Sequence, residues 1–445
     1  MVPAKRLYQL LLVGTVGGLA IALLGGNPTQ PAGLGRAIAL TLAYDAAVLA
    51  LALVDAARVR SHRIHAVRQT IPKLSIGREN PITLTLTAAE QATTLAQFQV
   101  RDAAPAEFAT TPLQLQGAIA PSSSAELTYT VHPSRRGAYR WGDLYLRQLG
   151  AWGLAWHEWR IPQAAPALVY PDLIGLKELS AKLMLQASGN VRQARRMGMG
   201  TEFTELRDYS TGDDPRLIDW KATARRNQVL VRVLEPEQEQ TLIILLDRGR
   251  LMTAQVHGLA RFDWGINAAL SLALAALNRG DRVGLGVFDR EMAAWVPPER
   301  GQPHLTKLLN TLTPLEPVMQ EPDYVGAVTT AALQQARRAL IVMLTDLVDE
   351  TASSELLLAL GRLKPRHLPF CVLLRDAALD RRAQEFVPQV AQAYRQAVAL
   401  DLLAQRQLVL AKLRQRGVLV LDAPAQQLSN QLVERYLQVK ARNLL

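Results

Sequence analysis

The sequence predicts an α/β protein: a doubly wound, mainly parallel sheet in the second half, preceded by an antiparallel β-sandwich and an N-terminal transmembrane hairpin. Three observations predict it. Two long apolar stretches lie before residue 60, a period-two alternation runs from about Ile71 to Tyr170, and fully apolar runs alternate with amphipathic segments from Thr241 onward. Segments 1–60, 70–170, 171–240 and 241–445 are accordingly expected to be the two spans, the sandwich, a linker helix with a charged segment, and the α/β domain.

The apolar stretches Tyr8–Leu24 and Ala37–Val54 each reach the minimum of about 17 residues that crosses a hydrocarbon core. A cleaved signal peptide is the rival reading, with Lys5 and Arg6 as its basic start, but the first stretch lacks a convincing small-x-small cleavage site and a second apolar stretch comes at once. Lys5 and Arg6 precede the first span, and Arg58, Arg60, Arg63 and Arg68 follow the second, while only Arg36 marks the loop between them. The excess of cations places both ends in the cytoplasm, giving a multi-pass protein of the cytoplasmic (inner) membrane with its large soluble part inside the cell. Gly14 and Gly18 form a G-x-x-x-G that lets another helix approach. Asp45, in mid-span, is expected to be neutral, paired or turned towards another helix.

In the next segment Ile82, Leu84 and Leu86 alternate with Thr83, Thr85 and Thr87, and Leu127, Tyr129 and Val131 with Thr128 and Thr130. Such strands bury one face, and turn signals such as Ser134 to Gly137 separate them. Trp141, Trp152, Trp156 and Trp159 are expected to fill the core or the seam to the next domain, the alternative being a sugar or lipid platform. A linker helix is expected near Leu173–Leu185. The runs Leu242–Leu246, Val283–Phe288, Leu340–Leu344, Phe370–Leu374 and Val418–Leu421 have no polar face, as strands covered on both sides require. Helices are expected at Ile266–Asn278, Val325–Arg338, Ser354–Leu363 and Gln427–Val439, and Met292–Pro297 pairs back on Arg282–Asp289 as an antiparallel edge. Asp247, Asp346 with Asp349, and Asp422 follow strands, so acidic groups gather at the carboxyl edge where such sheets bind ligands.

The net charge of +11 invites a nucleic-acid reading, but the basic residues are dispersed and not interleaved with aromatics, so nucleic acid is not the expected partner. The single cysteine, Cys371, lies in an apolar run, which points to a buried thiol in a reducing compartment. His62 and His65 lack companion ligands, and no cofactor is expected.

The most unusual stretch is polar. Gly198 and Gly200 are followed by Glu202-Phe203, Leu206-Arg207-x-Tyr209, Gly212-Asp213, Arg216-x-Ile218-Asp219-Trp220, Ala224-Arg225, and Val231-Arg232 with Glu235. This pattern resembles the signature of the bacterial domain of unknown function 58 family, and Arg135-Arg136-Gly137-Ala138-Tyr139 and Gly150-x-x-Gly153-Leu154 fall where that family has similar motifs. The resemblance implies two N-terminal spans, a β-rich segment and a von Willebrand factor A-like domain. It also implies a MoxR-type AAA+ ATPase as partner, because the family's genes often lie beside those of such ATPases. No biochemical function is established for the family.

Arg207, Arg216, Arg225 and Arg232 can each fork onto Glu202, Asp208, Asp213 or Asp219. The segment therefore reads either as an internal clasp that docks onto the α/β domain or as a surface for a protein partner, built from Glu202, Arg207, Tyr209, Gly212, Asp213, Arg216, Asp219, Trp220, Arg225 and Arg232. The alternative is a hydrolase using Asp213, Asp214 and Asp219, although no nucleophile, metal-ligand set or phosphate-binding loop accompanies them. The expected role is thus an adaptor or scaffold, not an enzyme. Family members with an A-domain metal site carry Asp-x-Ser-x-Ser; here Arg248-Gly249-Arg250-Leu251 follows Asp247, so no tight Mg²⁺ site is expected. Arg248 or Arg250 is expected to pair with Asp346.

Overall fold

The computed structural model describes residues 2–24, 31–71, 73–89, 95–194, 202–235, 240–347, 353–384 and 390–442, which divide by their contacts into units of residues 1–170 and 171–445. The expected Gly198 and Gly200 and Asp349 lie outside the described residues.

The first unit begins with two helices, Lys5–Leu24 and Pro31–Ser61, whose windows Lys5–Leu23 and Gly35–Ser61 are long and apolar enough to cross a membrane. Their apolar side chains face outward: Leu12, Leu19, Leu42 and Leu53 are all more than half exposed, unlike the residues of a soluble core helix. Gly14 and Gly18 of the first helix serve the hairpin itself. A side chain on Gly18 would collide with Thr41, and one on Gly14 with Tyr44 and Asp45, so the approaching helix is the second of the same chain. Asp45 thus faces the first helix. Arg36, expected in the loop, stands inside the second helix.

The rest of this unit forms three sheets. A five-stranded antiparallel sheet runs in the order Val2–Pro3, Ala155–Ile161, Leu144–Leu149, Ala96–Asp102, Leu115–Ile119. A four-stranded antiparallel sheet runs His65–Arg68, Asn80–Thr87, Ser124–Pro133, Phe108–Thr111, and a small third sheet joins Leu74–Ser75, Ala165–Tyr170 and Gly137–Trp141. The alternation expected at 82–87 is met, with Ile82, Leu84 and Leu86 buried. Asp102 ties the sheets together: it accepts from Arg68 Nη2 at 2.6 Å, Tyr129 Oη at 2.7 Å and Trp141 Nε1 at 2.9 Å. A buried carboxylate is tolerated because every lone pair is answered. Trp141 is a core residue, whereas Trp152 is 38% exposed with the Arg58 guanidinium 4.6 Å over its ring, which corrects the expectation of core filling for that side chain.

In the second unit a six-stranded sheet runs in the order Met292–Glu299, Arg282–Phe288, Thr241–Asp247, Leu340–Thr345, Leu368–Arg375, Leu419–Pro424, parallel except for the antiparallel first pair. Helices cover both faces, which is why the middles of the central strands, Leu242–Leu246 and Leu340–Leu344, are apolar throughout. Leu242, Ile244 and Leu246 join one core with Phe262, Leu270, Leu308, Leu428 and Tyr436 from the helices Arg261–Leu277, Gln302–Leu312 and Ala425–Ala441. Ile243 and Leu245 join the opposite core with Val328, Leu356, Leu360 and Leu413 from Tyr324–Gln334, Ser354–Leu363 and Val390–Gln415. The last of these helices and Ala377–Gln384 lie where the sequence reading named none. The helix expected at Val325–Arg338 stops at Gln334 because Gln335 turns extended, and the linker helix runs on to Ala194.

Candidate functional site

The charged segment folds as a hairpin with its own caps. Strands Glu202–Asp208 and Leu230–Glu235 pair antiparallel, Glu202 opposite Glu235. Between them Asp214 accepts from the Arg216 amide at 2.9 Å and caps the 3₁₀ turn Pro215–Leu217, proline at the first turn having no N–H to satisfy. Asp219 caps the helix Trp220–Arg226, accepting from the Lys221 and Ala222 amides at 3.1 and 3.0 Å. Asn227 closes that helix in the left-handed conformation (φ 52°). Gly212, at φ 112°, occupies a backbone region closed to side chains.

Two ion pairs lock the hairpin. Arg207 bonds Asp213, which also accepts from the Ser210 amide, and Arg232 bonds Asp219 at 2.8 Å. The Arg207 bond holds the Asp213 carboxyl below its ordinary range, and the Ala222 amide followed by Arg232 does the same for Asp219. Each of the three aspartates considered for hydrolysis is therefore engaged as a cap or ion-pair member. Among the described residues the segment's two ion pairs, Arg207 with Asp213 and Arg232 with Asp219, close the hairpin on itself.

The ten residues singled out in the sequence divide sharply. Arg207, Asp213, Asp219 and Arg232 are internal fasteners, Gly212 shapes a turn, and the side chain of Glu202 lies outside the described residues. Arg216, Arg225 and Trp220 face solvent, Trp220 at 68% exposure and Tyr209 at 39%, and among the described residues neither arginine has an ion-pair partner.

At the carboxyl edge of the sheet the chemistry differs from the expectation. Asp247 is buried and accepts from the Gly249 amide at 2.6 Å, Thr345 Oγ1 at 2.7 Å and Tyr324 Oη at 3.3 Å. Burial pushes its carboxyl up to about 6 against these bonds. Asp346 pairs with Arg261 at 2.6 Å and Arg406 at 2.8 Å, and Arg406 also bonds Asp422 at 2.8 Å. Arg248 instead bonds Asp289 at 2.6 Å and Arg250 bonds Glu321 at 2.6 Å, which corrects the expected pairing of either with Asp346. The reason is reach: Arg248 and Arg250 leave the strand end towards the neighbouring loops, while Arg406 enters from a distant helix. Burial opposes the charge of Arg406, but Asp346 and Asp422 hold its pKa above the ordinary value. Nothing local in the sequence marks these pairings, since Arg406 lies 60 residues from Asp346, and Tyr324 and Thr345 lie 77 and 98 residues from Asp247.

Residues 205–391 match the family model described as "Protein of unknown function DUF58". The chain is 26% identical over 151 residues to the uncharacterized protein Rv1480 of Mycobacterium tuberculosis, covering 34% of this chain and 48% of that one. It is 27% identical over 107 residues to the uncharacterized protein YeaD of Bacillus subtilis, covering 24% and 25% respectively. The matched regions thus span half or less of those relatives. A crystal structure of the conserved hypothetical protein BatB from Bacteroides thetaiotaomicron aligns at 14% identity and a TM-score of 0.30, over 46% of this chain and 99% of that one, too weakly to bear on the fold.

Proposed function

We propose, on the premise that residues 205–391 are a DUF58 region, that the chain is a membrane-anchored adaptor or scaffold that binds a protein partner through its charged hairpin. In this reading the two apolar helices are a transmembrane anchor with both ends in the cytoplasm, the first-unit sheets form a sandwich, and the α/β unit is a von Willebrand factor A-like fold. A MoxR-type AAA+ ATPase is the partner that the family resemblance suggests.

The observation that carries the reading is the division of labour in the hairpin. Asp213, Asp214 and Asp219 are engaged by Arg207, Arg232 and backbone amides, whereas Arg216, Arg225 and the indole of Trp220 are exposed, the two arginines without an ion-pair partner among the described residues. Tryptophan and arginine are the side chains that most often dominate protein interfaces, and a rigid, internally fastened hairpin presents them at little ordering cost. The fit is to an acidic, partly apolar patch on the partner.

The test is co-purification of the ATPase with detergent-extracted full-length protein from the native host. Arg216→Glu and Trp220→Ala are each expected to abolish it while the melting temperature stays within about 2 °C, as for other exposed surface changes. Undiminished co-purification by both variants refutes the surface, and a large fall in melting temperature assigns these residues to folding instead.

A further inference from the structure

At the foot of the first apolar helix lies a cavity of about 370 Å³, within the range of about 300–1,000 Å³ typical of small-molecule sites. Lys5 and Arg6, the first residues of that helix, form one wall; Gln97 and Gln99 on the strand Ala96–Asp102 form another, and Gly153 and Trp156 complete it. Among the described residues no carboxylate lines it. Lys5 and Arg6 are exposed and, among the described residues, neither has an ion-pair or hydrogen-bond partner, so the cavity holds two uncompensated positive charges.

The cavity is built and held in place by the chain around it. Val2–Pro3 pairs with Ala155–Trp156, and the Ala4 amide donates to Leu154 O at 3.0 Å, which pins the helix start to the sheet. Asp55, buried near the end of the second helix, accepts from the Trp152 and Leu154 amides at 3.0 and 3.1 Å and fastens the same loop from the other side. Gly153, in the left-handed region at φ 73°, leaves room for the Arg6 side chain, which a methyl group there would meet at 3.1 Å. Around the feet of both helices guanidinium groups lie over indoles: Arg58 over Trp152 at 4.6 Å and Arg63 over Trp159 at 5.5 Å. Basic and aromatic side chains at the ends of apolar helices are the composition of a membrane–water interface, where headgroup phosphates lie.

We propose that this cavity binds the phosphate headgroup of an anionic phospholipid, with Lys5 and Arg6 as its charge partners and Trp156 as its aromatic wall. The acyl chains then follow the exposed apolar face of the first helix, past Leu12, Val13 and Val16. The proposal rests on the reading of the helical pair as a membrane anchor. A free phosphate would use the same cations but gain nothing from that apolar track.

The test uses the full chain in detergent, with native mass spectrometry counting bound lipid in competition between phosphatidylglycerol and phosphatidylcholine. Each basic side chain at an anionic membrane surface contributes roughly fivefold, so the pair predicts a preference of about thirtyfold for phosphatidylglycerol. Lys5→Gln with Arg6→Gln is expected to abolish it. Gln97→Phe, which fills the cavity and keeps both charges, is expected to do the same, while Arg60→Gln, outside the cavity, leaves it intact. Equal retention of the two lipids, or a preference that survives Gln97→Phe, overturns the proposal, as does full competition by inorganic phosphate at equal concentration. Alkaline carbonate extraction of host membranes separates the two possible failures: release of the protein refutes the membrane anchor and the proposal with it, whereas embedded protein without lipid preference refutes the lipid site alone.

Discussion

Replacing Arg406 by leucine isolates the most consequential contact that the tertiary structure adds. Its guanidinium spans the carboxyl ends of two strands, donating to Asp346 and Asp422 at 2.8 Å each and to the carbonyls of Leu347 and Leu374 at 3.1 and 3.2 Å. All three charged side chains are at most 8% exposed. Removing one member of a buried ion pair costs about 3–5 kcal/mol, because the remaining charge stays desolvated. Asp346 keeps Arg261, while Asp422 retains only Arg375, 3.9 Å away, so the lower end of that range applies. About 3 kcal/mol corresponds to roughly a 150-fold loss of protection against hydrogen exchange in the strands Leu340–Thr345 and Leu419–Pro424. Exchange of the full chain, followed by mass spectrometry on peptides covering these strands, reads that loss directly. Adding Asp422→Asn to Arg406→Leu should restore most of the protection, as expected for coupled neighbours. A loss below about tenfold, or no rescue by the second substitution, refutes the claim that the guanidinium neutralises this edge.

Three further outcomes follow from the same geometry. The carboxyl of Asp247 is raised to about 6 from 3.8, so its contribution to stability is fully present below about pH 4 and is lost as pH rises through 6, by about 3 kcal/mol. Asp247→Asn should therefore flatten the fall in melting temperature between pH 4 and 7, and an unchanged slope counts against the assignment. Gly150 lies against the Asp55 carboxylate with no space for a methyl group, so Gly150→Ala should lower the melting temperature of the detergent-solubilised protein by about 2–12 °C. Gly35→Ala, where a methyl group would meet nothing outside its own stretch of helix within 4 Å, is the control, with no fall expected. Gly18→Leu should part the helical hairpin by displacing Thr41, measured as a lower melting temperature of the detergent-solubilised protein.

The sequence by itself determined what depends on local pattern. Strands at 242–246 and 340–344 are apolar throughout because helices cover both faces, and strands at 82–87 alternate because one face is buried; both periods are visible without coordinates. The signature residues could be named as well. Which arginine meets which aspartate was decided only in three dimensions. Within the hairpin five arginines and several acids have nearly equal sequence claims, and the strand register together with the caps at Asp214 and Asp219 selects Arg207 and Arg232, leaving Arg216, Arg225 and Arg226 outside. At the sheet edge Asp346 lies close in sequence to none of its partners, Arg261 and Arg406, because strand order brings together loops that the chain separates. Charge pairing acts over a few ångströms of space, and chain separation sets no such limit once the sheet has formed.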